Sequence, residues 1–153
     1  MLMAADMNRQ GGMLLIEALV AILIFSIGIL GLVGLQARAV AMSTDAKQRA
    51  DAAILANQLI GRLAIASPAS AAGFAHRPGG NAACAPSGAE SSDSTVTEWL
   101  TEVEASLPGA DKSRQQVVID TATGVVVVTL CWQPPDGKFH RHVVTTQMQW
   151  QSS

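Results

Sequence analysis

Few side chains in this 153-residue sequence could do chemistry, and most do not stand in a working arrangement. Cys84 and Cys131 are the only thiols. They can join as one bridge, or Cys131 can serve as a buried apolar residue while Cys84 remains an exposed thiol. His140 and His142 form H-x-H, which sets both imidazoles on one face of a strand. Two ligands without a third Cys, His or carboxylate in register fall short of a metal site, so an exposed pair is expected. Glu98, Glu102 and Glu104 fall on one short helix; the first two are four residues apart and read as a solvated face rather than an acid/base pair. No G-x-S-x-G, Walker loop, H-E-x-x-H or C-x-x-C occurs, and tyrosine is absent. The sequence offers no catalytic residue, no metal ligand set and no cofactor site, and an enzyme is not expected. What remains is Glu17, the one charge within Met13 to Leu35 (MLLIEALVAILIFSIGILGLVGL).

Hydrophobic residues make up 49% of the chain and charged residues 14%, against about 25% charged in an ordinary soluble domain. The apolar excess is concentrated in that one segment and the remainder has a soluble composition, which excludes a disordered chain and a polytopic membrane protein. A net charge of −2 and the lack of a long basic run argue against nucleic acid as the principal partner. As a helix the segment extends roughly 34 Å, slightly more than the roughly 30 Å hydrocarbon core of a bilayer, so one span is expected. Gly28, Gly31 and Gly34 recur every third residue rather than every fourth, which suits close packing or flexibility but not the small-xxx-small dimer motif.

A charge inside such a span costs about 2.5 to 3.5 kcal/mol at its centre and less near an end. Glu17 either reaches the interface or is kept to meet a positive charge. A cut after Gly12 would create an amine on Met13 one helical turn from Glu17, and equally near the Glu17 of a staggered neighbour. The twelve residues MLMAADMNRQGG that precede the segment place small residues before the apolar stretch, whereas a secretory signal places its cleavage site after it. Any cleavage is therefore expected to leave the apolar helix on the mature chain.

The elements that follow are legible from period and punctuation. From Gln36 to about Ala66 no proline occurs, and Ala52, Leu55, Ala56, Leu59, Leu63 and Ala66 form one apolar stripe opposite Lys47, Asp51 and Gln58. A single helix of about 50 residues from Met13 is expected, ended by Pro68. Residues 67–94 are rich in Ala, Gly, Ser and Pro without a period and read as an irregular loop. Thr95 and Glu98 make a capping box for TVTEWLTEVEASL, with Trp99, Val103 and Leu107 on one face and Pro108-Gly109 as the stop. Strands are expected over 115–120, 124–132 and 142–150, joined by TATG and QPPDGKF. In the last, Val144, Thr146, Met148 and Trp150 alternate with Val143, Thr145, Gln147 and Gln149, so one face covers a helix and the other meets water. The expected class is α+β, a long helix packed by its second half on a small antiparallel sheet.

The run GG-MLLIEALVAILIFSIGILGLVGLQ resembles the class III signal of type IV prepilins and pseudopilins, with a leader ending in Gly12, a bulky residue at Met13, and Glu17 at mature position five. Met13 stands where phenylalanine is commonest, and Leu14 where threonine is frequent. Asp6 beside Arg9 leaves the leader without the usual basic charge; a start at Met7 would give the cleaner MNRQGG. Downstream, EWLTEVEASLPG before strands ending in VTLCW is similar to the minor pilin family called the type IV pilus modification protein, PilV.

The resemblance implies a type IV pilin-like fold with a leader over 1–12, a membrane and filament-core helix over 13–35, an amphipathic continuation over 36–66 and a periplasmic domain over 67–153. It implies cleavage by prepilin peptidase between Gly12 and Met13, N-methylation of Met13, and a role for Glu17 in setting subunit register. The implied partners are prepilin peptidase, the major pilin, other minor pilins and the inner-membrane assembly platform, with a tip adhesin as a further candidate. The implied location is the inner membrane and then the pilus, and the implied function is pilus assembly or initiation, with its consequences for twitching motility and adhesion. A periplasmic domain lies in an oxidising compartment, which implies that Cys84 and Cys131 are bonded. The alternatives are a minor pseudopilin of type II secretion and an uncleaved bitopic protein with a periplasmic binding domain.

Overall fold

With no proline from Gly11 to Ser67 and alanine and leucine abundant, the backbone has nothing to interrupt a helix, and α1 runs Gly11–Ala64, 54 residues. The computed structural model describes residues 11–80, 82–135 and 137–149. They fall into two compact units, one ending at Asp45 and one beginning at Ala46. The expected leader, as far as Gln10, and Trp150 of the expected last strand lie outside the described residues.

In the first unit every large apolar side chain from Met13 to Leu35 is exposed, at 44–76%. A helix that is apolar all round cannot be the exposed face of a water-soluble body, and this one is long and apolar enough to cross a membrane.

In the second unit the stripe of α1 is buried at Ala52, Leu55, Ala56, Leu59 and Leu63, while Lys47 and Gln58 are exposed. α1 stops at Ala64, four residues before Pro68. Ser67 is extended, as the residue before a proline prefers, and Pro68 opens the short α2 (Pro68–Ala71), where its missing N–H is no loss. The expected irregular loop is therefore partly built. α2 is followed by a 3-10 turn (Ala72–Phe74), and bridges pair His76 with Val117 and Gly79 with Ser87.

α3 (Ser94–Ser106) is capped by Asp93, whose Oδ1 accepts from the Thr95 N–H at 2.8 Å. The expected capping box, which would start two residues later, is thus displaced: Thr95 lies inside the first turn and receives the cap rather than supplying it. α3 buries Val96, Trp99, Leu100 and Val103 against the α1 stripe, and Trp99 donates its indole N–H to the Leu55 carbonyl at 2.8 Å.

The sheet comprises β1 (Gln116–Asp120), β2 (Val125–Trp132) and β3 (His140–Gln147), antiparallel in the order β1-β2-β3. Register sorts its faces. Val117 lies opposite Val128, and Val128 opposite Val144; these residues, with Val126, Leu130 and Trp132, turn toward the helices. Thr129 and Cys131 project from the other face, yet both are buried. Gly124 ends the first hairpin turn at φ +74°, where a Cβ would also run into the Met148 carbonyl oxygen. The layout is α+β.

Candidate functional site

The first turns of α1 carry Gly12, Met13 and Glu17. A Cβ added at Gly12 would meet no atom within 4 Å. Met13 is 76% exposed and Glu17 is exposed. Four residues apart, they share one helix face, separated by a rise of about 6 Å. The Ser26 hydroxyl donates to the Ile22 carbonyl at 2.7 Å, so this polar group is satisfied within the helix.

In the second unit Cys84 and Cys131 form a disulfide, with Cα atoms 5.6 Å apart. It draws the 82–86 turn onto the outer face of the sheet, which is why Thr129 and Cys131 are buried there. Neighbouring contacts hold the same loop. Gln116 donates its amide to the carbonyls of Arg77 and Gly79, and Gly79 and Ser87 exchange two backbone hydrogen bonds of 2.8 Å. Arg77 pairs with Glu90, holding that carboxyl below its ordinary range.

Two buried polar side chains, which sequence reasoning did not single out, brace this region: Gln115 ties the chain entering β1 to β2, and His76 ties the loop to the 3-10 turn before β1. The Gln115 carboxamide accepts from the Cys131 N–H and donates to the Cys131 carbonyl, each at 2.9 Å, extending the β1–β2 ladder with a side chain. His76 accepts from the Ser91 N–H on Nδ1 and reaches the Lys112 carbonyl from Nε2 at 3.0 Å, a pattern that defines one tautomer. A lone His or Gln in a polar stretch carries no periodic signal, so only a partner distant in sequence could reveal either.

No protein-family model, curated protein or solved structure matches the chain.

The H-x-H pair differs from expectation. His140 and His142 are half-buried on the helix-facing side of the sheet, and His140 stacks on Trp132 with ring centroids 5.5 Å apart. Trp132 in turn donates to Gln48 Oε1 on α1 at 3.0 Å. Their role is packing at the end of the core. Glu102 is half-buried and 3.8 Å from Arg62, while Glu98 and Glu104 are exposed. Among the described residues no three His, Cys, Asp or Glu stand close enough to share an ion. The structure thus brings together Cys84 and Cys131 in one unit, and Met13 and Glu17 on one helix face in the other, with Gly12 next to Met13 in the same first turns.

Proposed function

We propose that the chain is a minor pilin of a type IV pilus, inserted in the inner membrane as a prepilin, cut after Gly12, methylated on Met13, and then used to prime or extend the fibre. The observation that carries this reading is a helix exposed and apolar on every side with a single carboxylate, Glu17, one turn from the Gly12–Met13 bond. Such a surface needs covering, and lipid and a bundle of like helices can cover it in succession. In either environment an unpaired carboxylate is expensive. The new amine of a neighbouring subunit removes that cost at one axial register only, so Glu17 acts as a register device. The sheet unit, with its disulfide, suits the oxidising periplasm and presents the surface that selects partner subunits. Prepilin peptidase, the major pilin, other minor pilins and the assembly platform are the partners this reading requires.

Gly12→Leu tests it in cells, since open space at Gly12 means that the substitution has no steric effect on the folded chain. The expected result is a protein that keeps its leader by mass and fails to enter pili. N-terminal sequencing of the wild type should begin at Met13. An unprocessed wild-type chain with normal piliation would overturn the proposal. Glu17→Ala should insert in the membrane at least as well as wild type, but be depleted from sheared fibres.

A further inference from the structure

Between the 82–86 turn and the outer face of the sheet lies a depression of about 200 Å³, whose walls include Cys84, Pro86, Arg114, Gln116, Thr129 and Arg141. Arg141 lies opposite Cys131 in the β2–β3 register, so its side chain leaves the sheet on the same face as the disulfide. Arg114 enters from the 3-10 turn Lys112–Arg114, and its guanidinium rests over the Phe139 ring, 4.4 Å from the centroid. The Gln116 amide is held by two carbonyls, and the disulfide anchors the opposite wall. The floor is therefore set by covalent and hydrogen-bonded contacts rather than by loose side chains.

The charge in this depression is one-sided. No carboxylate lines it, and among the described residues neither Arg114 nor Arg141 forms an ion pair. The carboxylate nearest in sequence, Asp111, lies outside the lining; it accepts from the Ser113 N–H at 2.7 Å and shares its field between Arg114 and Lys112. Arg141 has no such partner among the described residues, so the depression keeps a positive excess. In a chain with 12 acidic and 10 basic side chains, two guanidiniums in one acid-free depression leave a local excess that an anion would neutralise.

We propose that this depression binds the phosphate group of a small anionic ligand. Guanidinium forks match phosphate oxygens in geometry. A phosphate carries about −1.5 to −2 at neutral pH and so balances both arginines, whereas one carboxylate would leave a positive charge over. The volume is below the roughly 300 to 1,000 Å³ of ordinary small-molecule sites, so the depression takes the phosphate and little beyond it. The source is either free inorganic phosphate or a phosphate ester. This inference stands apart from the pilus reading and shares with it only the Cys84–Cys131 disulfide.

The test uses the full chain in maltoside micelles, titrated at constant ionic strength with sodium phosphate and, separately, with glycerol 3-phosphate, while amide chemical shifts are followed. Saturable shifts at Ala82, Ala83, Cys84 and Arg141 are expected, with affinity weakened about tenfold or more in Arg114→Gln and in Arg141→Gln. Tighter binding of the ester than of inorganic phosphate identifies an esterified ligand; equal binding identifies the free ion. Arg141 is exposed on the edge strand, so its replacement leaves the fold in place even if Arg114→Gln disturbs it. No saturable shift with either probe, or unchanged affinity in Arg141→Gln, overturns the proposal.

Discussion

Gln115 shows how one side chain can join two parts of the chain. It is fully buried, and its carboxamide accepts from the Cys131 N–H and donates to the Cys131 and Asp111 carbonyls. Gln115→Ala would leave a buried N–H and a buried carbonyl without partners, at a cost of about 1–3 kcal/mol. Chemical denaturation of the micelle-bound chain, followed by tryptophan fluorescence, should show that loss; a midpoint equal to wild type would mean that water replaces the amide. Only part of this scale was legible in the sequence. Glu17 stood out because a charge in an apolar run violates a local rule. Gln115 and His76 did not, because each is a polar residue in a polar stretch whose partner lies far along the chain. The half-buried His140 is a similar case: alternation put it on one face, but only the register opposite Trp132 shows that this face is the packed one.

At the scale of elements, α3 separates a pattern from its realisation. The motif at Thr95 and Glu98 satisfies the capping rule, yet Asp93, two residues earlier, makes the hydrogen bond. Asp93→Ala should destabilise the second unit by about 1 kcal/mol, whereas Thr95→Ala should cost nothing, because Thr95 supplies only its backbone N–H to the cap and alanine has the higher helix propensity. Comparing the two midpoints decides which residue caps. The three strands and their order were readable from β-branched runs and turn residues, with ends shifted by one to three positions: β3 starts at His140 rather than at 142 and ends at Gln147 rather than at 150. The 67–94 stretch was not readable. Its order comes from Ser67, His76, the Gly79–Ser87 pairing and the disulfide, contacts that leave no period behind.

For the molecule as a whole, two terms should dominate how the second unit responds to its surroundings. The Cys84–Cys131 bridge closes a loop with a sequence separation of 47, and in the chain-entropy view its removal costs about 4 kcal/mol, a large share of a small domain's total stability. Replacing both cysteines by serine should lower the denaturation midpoint accordingly; an unchanged midpoint would show that the loop's hydrogen bonds suffice without the bridge. Acid is the second lever. Hydrogen bonding from Arg77 lowers the Glu90 carboxyl, from Ser113 the Asp111 carboxyl, and from Thr123 the Asp120 carboxyl. Each group is more acidic folded than unfolded, so the stability it contributes is present above the ordinary carboxylate range and is lost as pH falls through the folded values. Midpoints should hold steady from pH 7 to about 5 and decline below about 4, and Asp120→Asn should flatten part of that decline. The apolar helix, its lone glutamate and the helix-then-sheet order were determined by sequence alone, because they rest on composition and on periods of 3.6 and 2 that local stereochemistry enforces. Which residue caps α3, which side of the sheet is dry, and which two arginines share a depression beside the disulfide were decided only by the tertiary structure, because those facts depend on strand register and on contacts between residues distant in the chain.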